Sequence, residues 1–166
     1  MARAIQLDEV DRKLLALLQQ DADRSLSALG ERVSLSPSAV QRRIARLRSS
    51  RAIARTVAVL SDDVVPEMVR ACVLVALERA TAKLHGGFRE RVLAAPEVQQ
   101  CYDVAGPWDY LVVLIAGGVP ACRIAIDRLF LGAPNVKRYE TLFVMEALKL
   151  GLALPLGPAS RRTAKG

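Results

Sequence analysis

The chain has 166 residues, 52% of them apolar and 25% charged, and a formal net charge of +7 at pH 7. That length holds one or two cores, and that composition is too hydrophobic for a largely disordered chain. No apolar stretch reaches the roughly 20 residues of a membrane span, no secretory leader pattern opens the sequence, and Cys72, Cys101 and Cys122 stand apart from any metal-ligating spacing; a cytoplasmic protein with buried free thiols, no metal site and no membrane partner is expected.

The charge is unevenly spread. Residues 1–60 carry eleven Lys and Arg against six Asp and Glu, residues 61–150 ten against eleven, and residues 151–166 three against none. An excess at both ends suits an N-terminal segment that meets a polyanion and a middle segment with a different task.

In chain order, "LDEVDRKLLALLQQD" sets Leu7, Val10, Leu14, Leu17 and Leu18 at helical spacing, with Asp8 and Asp11 in the first turn where they suit the helix dipole. Ser25 caps a second short helix, "LSALGERV", although Ala28 stands where a Glu would complete a capping box. Ser34-Leu35 then makes a tight connection, and Ser36-Pro37 is an N-cap followed by proline at the first helical position, where its missing N–H costs nothing.

The third helix carries five arginines between positions 42 and 51. Val40, Ile44 and Leu47 form an apolar stripe; Ser38, Arg42, Ala45, Arg46 and Ser49 lie opposite, with Gln41, Arg43 and Arg48 on the flanks. Alone, such a face is more often a solvated surface than one that binds DNA. Placed after two helices and a tight turn, it completes a helix-turn-helix whose last helix enters the DNA major groove. Ser38, Gln41 and Arg42 are then the residues for base edges, since Arg pairs bidentately with guanine and Gln with adenine. Ser36 at the capped end, with Arg43, Arg46, Arg48 and Arg51, is assigned to phosphates.

"IARTVAVL" alternates as a short strand would, closing a DNA-binding domain over residues 1–60; "SDDVVPE" makes 61–68 a linker. Residues 69–150 read β-α-β-β-α-β: "ACVLVALE", "AKLHGGFRERVLAAP", "VQQCYDVAG", "DYLVVLIAG", "VPACRIAIDRLFLGAP" and "VKRYETLFVMEAL", the ferredoxin-like order. The fold class expected is α+β. Residues 73–77 and 111–115 are continuously apolar, so both sheet faces should be covered. Two helices cover only one, which predicts a second subunit on the other and an obligate homodimer. His85, beside Gly86-Gly87, reads as a solvated surface histidine. Residues 151–166 read as a basic flexible tail, with Arg161, Arg162 and Lys165 adding at most nonspecific phosphate attraction.

Taken together, "LDEVDRKLLALLQQDADRS", "LSPSAVQRRIARL", Ile53, "VAGPWDYLV" and "YETLFVMEALK" resemble, in order and over roughly residues 7–150, the Lrp/AsnC or feast/famine transcriptional regulators. The resemblance implies a winged or plain helix-turn-helix domain, a ferredoxin-like effector domain, dimers assembling into tetramers or octamers, and an effector, commonly an amino acid, bound between dimers. It puts Gly106, Pro107, Trp108, Asp109 and Tyr110 in the effector loop, Asp109 facing an ammonium group and Thr141 hydrogen-bonding nearby. A plain hairpin turn held by Asp109 explains the same residues. Pro107 departs from the family's usual acidic residue, and Ser34 from its usual glycine. Two alternatives share the pattern: an enzyme like the siroheme decarboxylases, and a DNA-organising protein of low specificity. No nucleophile–base set, paired carboxylates or phosphate loop supports the enzyme.

Overall fold

The computed structural model describes residues 5–65, 67–78 and 82–156. The chain forms two compact units: residues through Val59 together with those from Leu150 onward, and Leu60–Lys149.

The first unit is built on α1 (Glu9–Gln20), α2 (Leu26–Val33) and α3 (Pro37–Ser49). Each begins where a side chain can take an orphan backbone donor. Asp8 accepts from Asp11 N–H at 2.7 Å and Asp11 returns the bond to Asp8 N–H at 3.1 Å, a reciprocal capping box. Ser25 caps α2 through Ala28 N–H, and Ser36 caps α3 through Ala39 N–H, with Pro37 in the first turn. Leu14, Leu29, Val33, Val40 and Ile44 make the core, with Ile53 packed at its edge. Among the described residues this unit has no strand. The alternating segment after Ile53 pairs with no strand, leaving Val57, Val59 and Leu60 58–91% exposed. A period of two becomes a strand only where the segment finds a partner to pair with, and among the described residues this one has none.

The second unit opens with one 3-10 turn, Asp62–Val64, and continues β1 (Met68–Leu77), α4 (Ala82–Leu93), β2 (Val98–Asp103), β3 (Tyr110–Gly117), α5 (Gly118–Phe130) and β4 (Val136–Phe143). The sheet is antiparallel with order β2-β3-β1-β4, the ferredoxin-like arrangement. Ala71, Val73 and Val75 of β1 and Val112 and Leu114 of β3 are wholly buried beneath the helices with Phe88, Val92, Cys122, Leu129 and Phe130. A ring series, His85–Tyr110–Phe88–Phe130–Tyr139, runs between sheet and helices with neighbouring centroids 4.4–6.3 Å apart.

The other sheet face carries Cys72, Leu74, Leu111, Val113, Ile115 and Leu142. Among the described residues no helix of this unit packs on it, and Leu142 is 48% exposed. Cys122 is buried, Cys72 and Cys101 are half-buried, and all three are free thiols; burial raises the Cys101 and Cys122 thiols above their ordinary range. β4 ends at Phe143, short of the expected "VMEAL", and Met145 stands 95% exposed. Of the basic tail, only residues through 156 are described; Arg161, Arg162 and Lys165 lie outside.

Candidate nucleic-acid interface and effector loop

The turn before α3 depends on close backbone approach. Leu35 N–H donates to Gly30 O at 3.0 Å, and a Cβ on Gly30 would stand 2.4 Å from Leu35 O. Only glycine fits there. Ser34 takes the left-handed conformation, φ 56° and ψ 46°, at the end of α2. Serine adopts it at a cost of roughly 1 kcal/mol relative to glycine, so the turn survives the replacement. Apolar spacing does not single out Gly30; its signal in the sequence is a glycine inside an otherwise helical pattern, just before a turn.

Val40, Ile44 and Leu47 are buried as their spacing requires. Ser38, Gln41, Arg42, Ala45, Arg48 and Ser49 form a continuous exposed stripe along α3, with Ser36 and Ser38 hydroxyls 3.1 Å apart at its start. The arginines divide into two groups. Arg42, Arg48 and Arg51 have no carboxylate partner among the described residues. Arg43 and Arg46 instead turn to α1. Arg43 Nη1 donates to Asp8 Oδ2 at 2.5 Å and Asp11 Oδ1 at 2.9 Å; Arg46 Nη2 donates to both Asp11 oxygens at 2.5 and 2.6 Å.

Asp11 is the single wholly buried charged side chain among the described residues. It joins the α1 cap to the flank of α3, through contacts that local sequence cannot reveal because they span 32 and 35 residues. The Arg43 guanidinium holds the Asp8 carboxyl below the usual carboxylate range, and Asp8 with Asp11 hold the Arg43 guanidinium above its own. Asp8, Arg42, Arg43 and Arg46 line a cleft of about 280 Å³.

In the second unit, the effector-loop residues separate. Gly106 has φ 152°, a conformation rarely open to residues with a Cβ, and Gly106 and Pro107 are exposed. Trp108 is half-buried, with the Arg138 guanidinium 4.4 Å from its ring centroid. Asp109 faces inward to the backbone: its Oδ2 accepts from Leu77 N–H at 2.7 Å, and its own N–H donates to Val75 O. Tyr110 is buried and shares a 2.6 Å hydrogen bond with His85 Nδ1, while Arg89 Nε donates to the same hydroxyl at 3.1 Å. His85 is therefore a half-buried partner of the loop, not the solvated residue expected. Thr141 pairs in register with wholly buried Val73, whereas Arg138 beside Trp108 pairs with Ala76 on the opposite face. Thr141 and the Trp108 ring thus belong to different sides of the sheet.

With this architecture in view, likeness to known proteins is informative. Residues 7–48 match the AsnC-type helix-turn-helix domain, and residues 70–154 match the Lrp/AsnC ligand-binding domain. The DNA-binding transcriptional activator DecR of Escherichia coli is 32% identical over 90% of this chain and 99% of its own length. An AsnC family transcriptional regulator from Agrobacterium tumefaciens superposes with a TM-score of 0.83 at 29% identity, covering 90% of this chain and 97% of that one. A Neisseria meningitidis transcriptional regulator crystallised with L-Met gives 0.79 at 29% identity, covering 91% and 97%. A helix-turn-helix with a basic capped third helix, followed by a ferredoxin-like ligand-binding domain, makes this chain a transcriptional regulator of the Lrp/AsnC family.

Proposed function

We propose that this regulator binds duplex DNA in a sequence-dependent manner through the exposed stripe of α3, with Ser38, Gln41 and Arg42 at base edges and Arg48, Arg51 and Ser36 at phosphates. The observation that carries the reading is the division of the arginines. Among the described residues, Arg42, Arg48 and Arg51 meet no carboxylate, whereas Arg43 and Arg46 are neutralised by Asp8 and Asp11. In this reading the latter two position α3 and reach phosphates only at its flank. A second copy on the open sheet face would present two such helices to successive major grooves of a pseudo-palindromic site, and dimers would assemble further into tetramers or octamers.

The effector is a small molecule, and an amino acid is the class favoured by the L-Met complex of the Neisseria relative. Gly106, Pro107 and Trp108 are the residues offered to it, with Asp109 and Tyr110 fixing the loop from within and Thr141 on the far face of β4. Such a ligand shifts the DNA-bound population only by its difference in affinity between two assembly states. The chain acts as a regulator and not as an enzyme in this reading, and its place of action is the cytoplasm. A genome-wide map of bound DNA, with and without L-Met and other amino acids, tests both halves. Discrete sites that change with an amino acid support the reading; uniform coverage points to a DNA-organising protein. Arg42→Ala should cost about 1–3 kcal/mol of affinity for the preferred site and flatten sequence preference at the base it meets; unchanged preference would refute its assignment.

A further inference from the structure

The charges beside the effector loop are unequally committed. Of residues 104–109 the one acid is Asp109, and it is occupied: its Oδ2 accepts from Leu77 N–H at 2.7 Å, its N–H donates to Val75 O at 2.9 Å, and its carbonyl accepts from Val104 N–H at 3.0 Å. Asp103, the acid before it, holds Arg89 at 2.6 Å. Arg138 is the cation left over. It lies exposed on the edge strand β4 and has no carboxylate partner among the described residues. Its guanidinium sits over the half-buried Trp108 ring, 4.4 Å from the centroid. A guanidinium set against an aromatic face keeps the N–H donors along its edge, in the fork geometry that fits a carboxylate. The ring also restrains a long side chain, so less freedom is lost when a ligand arrives.

We propose that Arg138, braced by Trp108, reads the carboxylate of the effector, and that the effectors are small carboxylates whose amino group is dispensable, 2-oxo acids as well as amino acids. The proposal rests on the effector reading above and deepens it. Glu140, the one acid of β4, shares a sheet face with Arg138, since their partners Leu74 and Ala76 are two residues apart on β1. It is exposed and stands about 7 Å further along the strand. An ammonium held there in open water gains at most about fivefold in affinity. A carboxylate hydrogen-bonded to a guanidinium gains about tenfold or more. The carboxylate therefore dominates recognition.

Trp108 is the single tryptophan of the chain, so its emission reports on the site directly. The full chain is titrated, by fluorescence and by calorimetry, with the common primary α-amino acids, L-Met among them, and with the 2-oxo acid and the decarboxylated amine of each. An amino acid that binds and its 2-oxo acid should both shift Trp108 emission, with dissociation constants within about fivefold of each other, and the amine should not bind. Arg138→Ala should weaken both acids about tenfold or more, and Arg138→Lys, which keeps the charge without the fork, should recover part of the loss. Thermal melts confirm that each variant is folded. Unchanged affinity in Arg138→Ala, or a 2-oxo acid that fails where its amino acid binds, overturns the proposal. Binding seen by calorimetry that neither moves Trp108 emission nor needs Arg138 refutes this assignment alone and leaves the regulator with an effector site elsewhere. A chain that binds none of these compounds refutes the effector reading itself.

Discussion

Replacing Asp11 by Ala removes the acceptor on which three groups converge: the guanidinium groups of Arg43 and Arg46 and the N–H of Asp8. Breaking a fully buried ion pair by deleting one partner costs about 3–5 kcal/mol, mostly because the other charge is stranded. Here the stranded partners can recover water, since the side chains of Arg43 and Arg46 are 28% and 55% exposed. That lowers the ionic loss to about 2 kcal/mol, and losing half of the capping box adds about 0.5–1 kcal/mol. The expected loss is therefore about 2–3 kcal/mol. For a unit of some 60 residues this amounts to a fall of roughly 10 °C or more in its melting temperature. Scanning calorimetry is the suitable assay, because the effector domain's transition provides an internal reference that Asp11→Ala should leave in place. Duplex affinity should fall with the same change, as α3 loses its tie to α1, despite the removal of a negative charge beside the DNA. A shift below about 0.5 kcal/mol would falsify this account and make the two ion pairs ordinary surface contacts. In a double-mutant cycle, Asp11→Ala and Arg43→Ala should couple by more than about 0.5 kcal/mol.

Other perturbations probe the turn, the loop and the pH response. Gly30→Ala should destabilise the DNA-binding unit by about 1–2 kcal/mol in a denaturant titration, the backbone clash with Leu35 O outweighing the roughly 1 kcal/mol that Ala gains in helix propensity; equal or higher stability would contradict the close approach. Asp109→Ala should cost the effector domain about 1–3 kcal/mol by leaving Leu77 N–H without its acceptor, and Asp109→Asn should restore most of it. Equal losses in the two variants would mean that the carboxylate's charge matters more than this hydrogen bond. Arg43 lowers the Asp8 pKa in the folded state, so the group's contribution is complete above the ordinary aspartate range, near pH 4, and is lost as pH falls through the lower folded value. Acid titration of the DNA-binding unit should show this loss, and Asp8→Asn should remove it from the profile.

The helices of the first unit are legible in the sequence because each begins with a local chemical signal. Ser25, Ser36 and Pro37 act within three residues of where they stand, and the spacing of Val40, Ile44 and Leu47 survives intact as burial. The effector sheet is legible for a similar reason, since runs such as residues 111–115 exclude most alternatives. What escapes a sequence reading depends on distant partners. Asp8 and Asp11 read as dipole complements and are also the receptors for Arg43 and Arg46. His85 reads as solvated because its partner, Tyr110, lies 25 residues away. Residues 53–60 carry a strand's alternation, yet among the described residues no strand pairs with them. At the effector loop, the family resemblance locates the residues but not their directions: Asp109 is taken up by the Leu77 N–H and Tyr110 by His85, both from distant segments, while Gly106 and Pro107 stay open.

Gln19, near the end of α1, accepts from Leu154 N–H at 2.7 Å and donates to Leu154 O at 3.2 Å, and this clasp bears on the order in which the protein can be made. Domains tend to fold as they leave the ribosome, N-terminal first, and α1–α3 hold all the residues of their own core. Yet the unit they form is completed only by backbone that is translated after β4. The first unit to fold is thus among the last to be finished, and a chain stalled within the effector domain would carry a helix-turn-helix that lacks its final fastening.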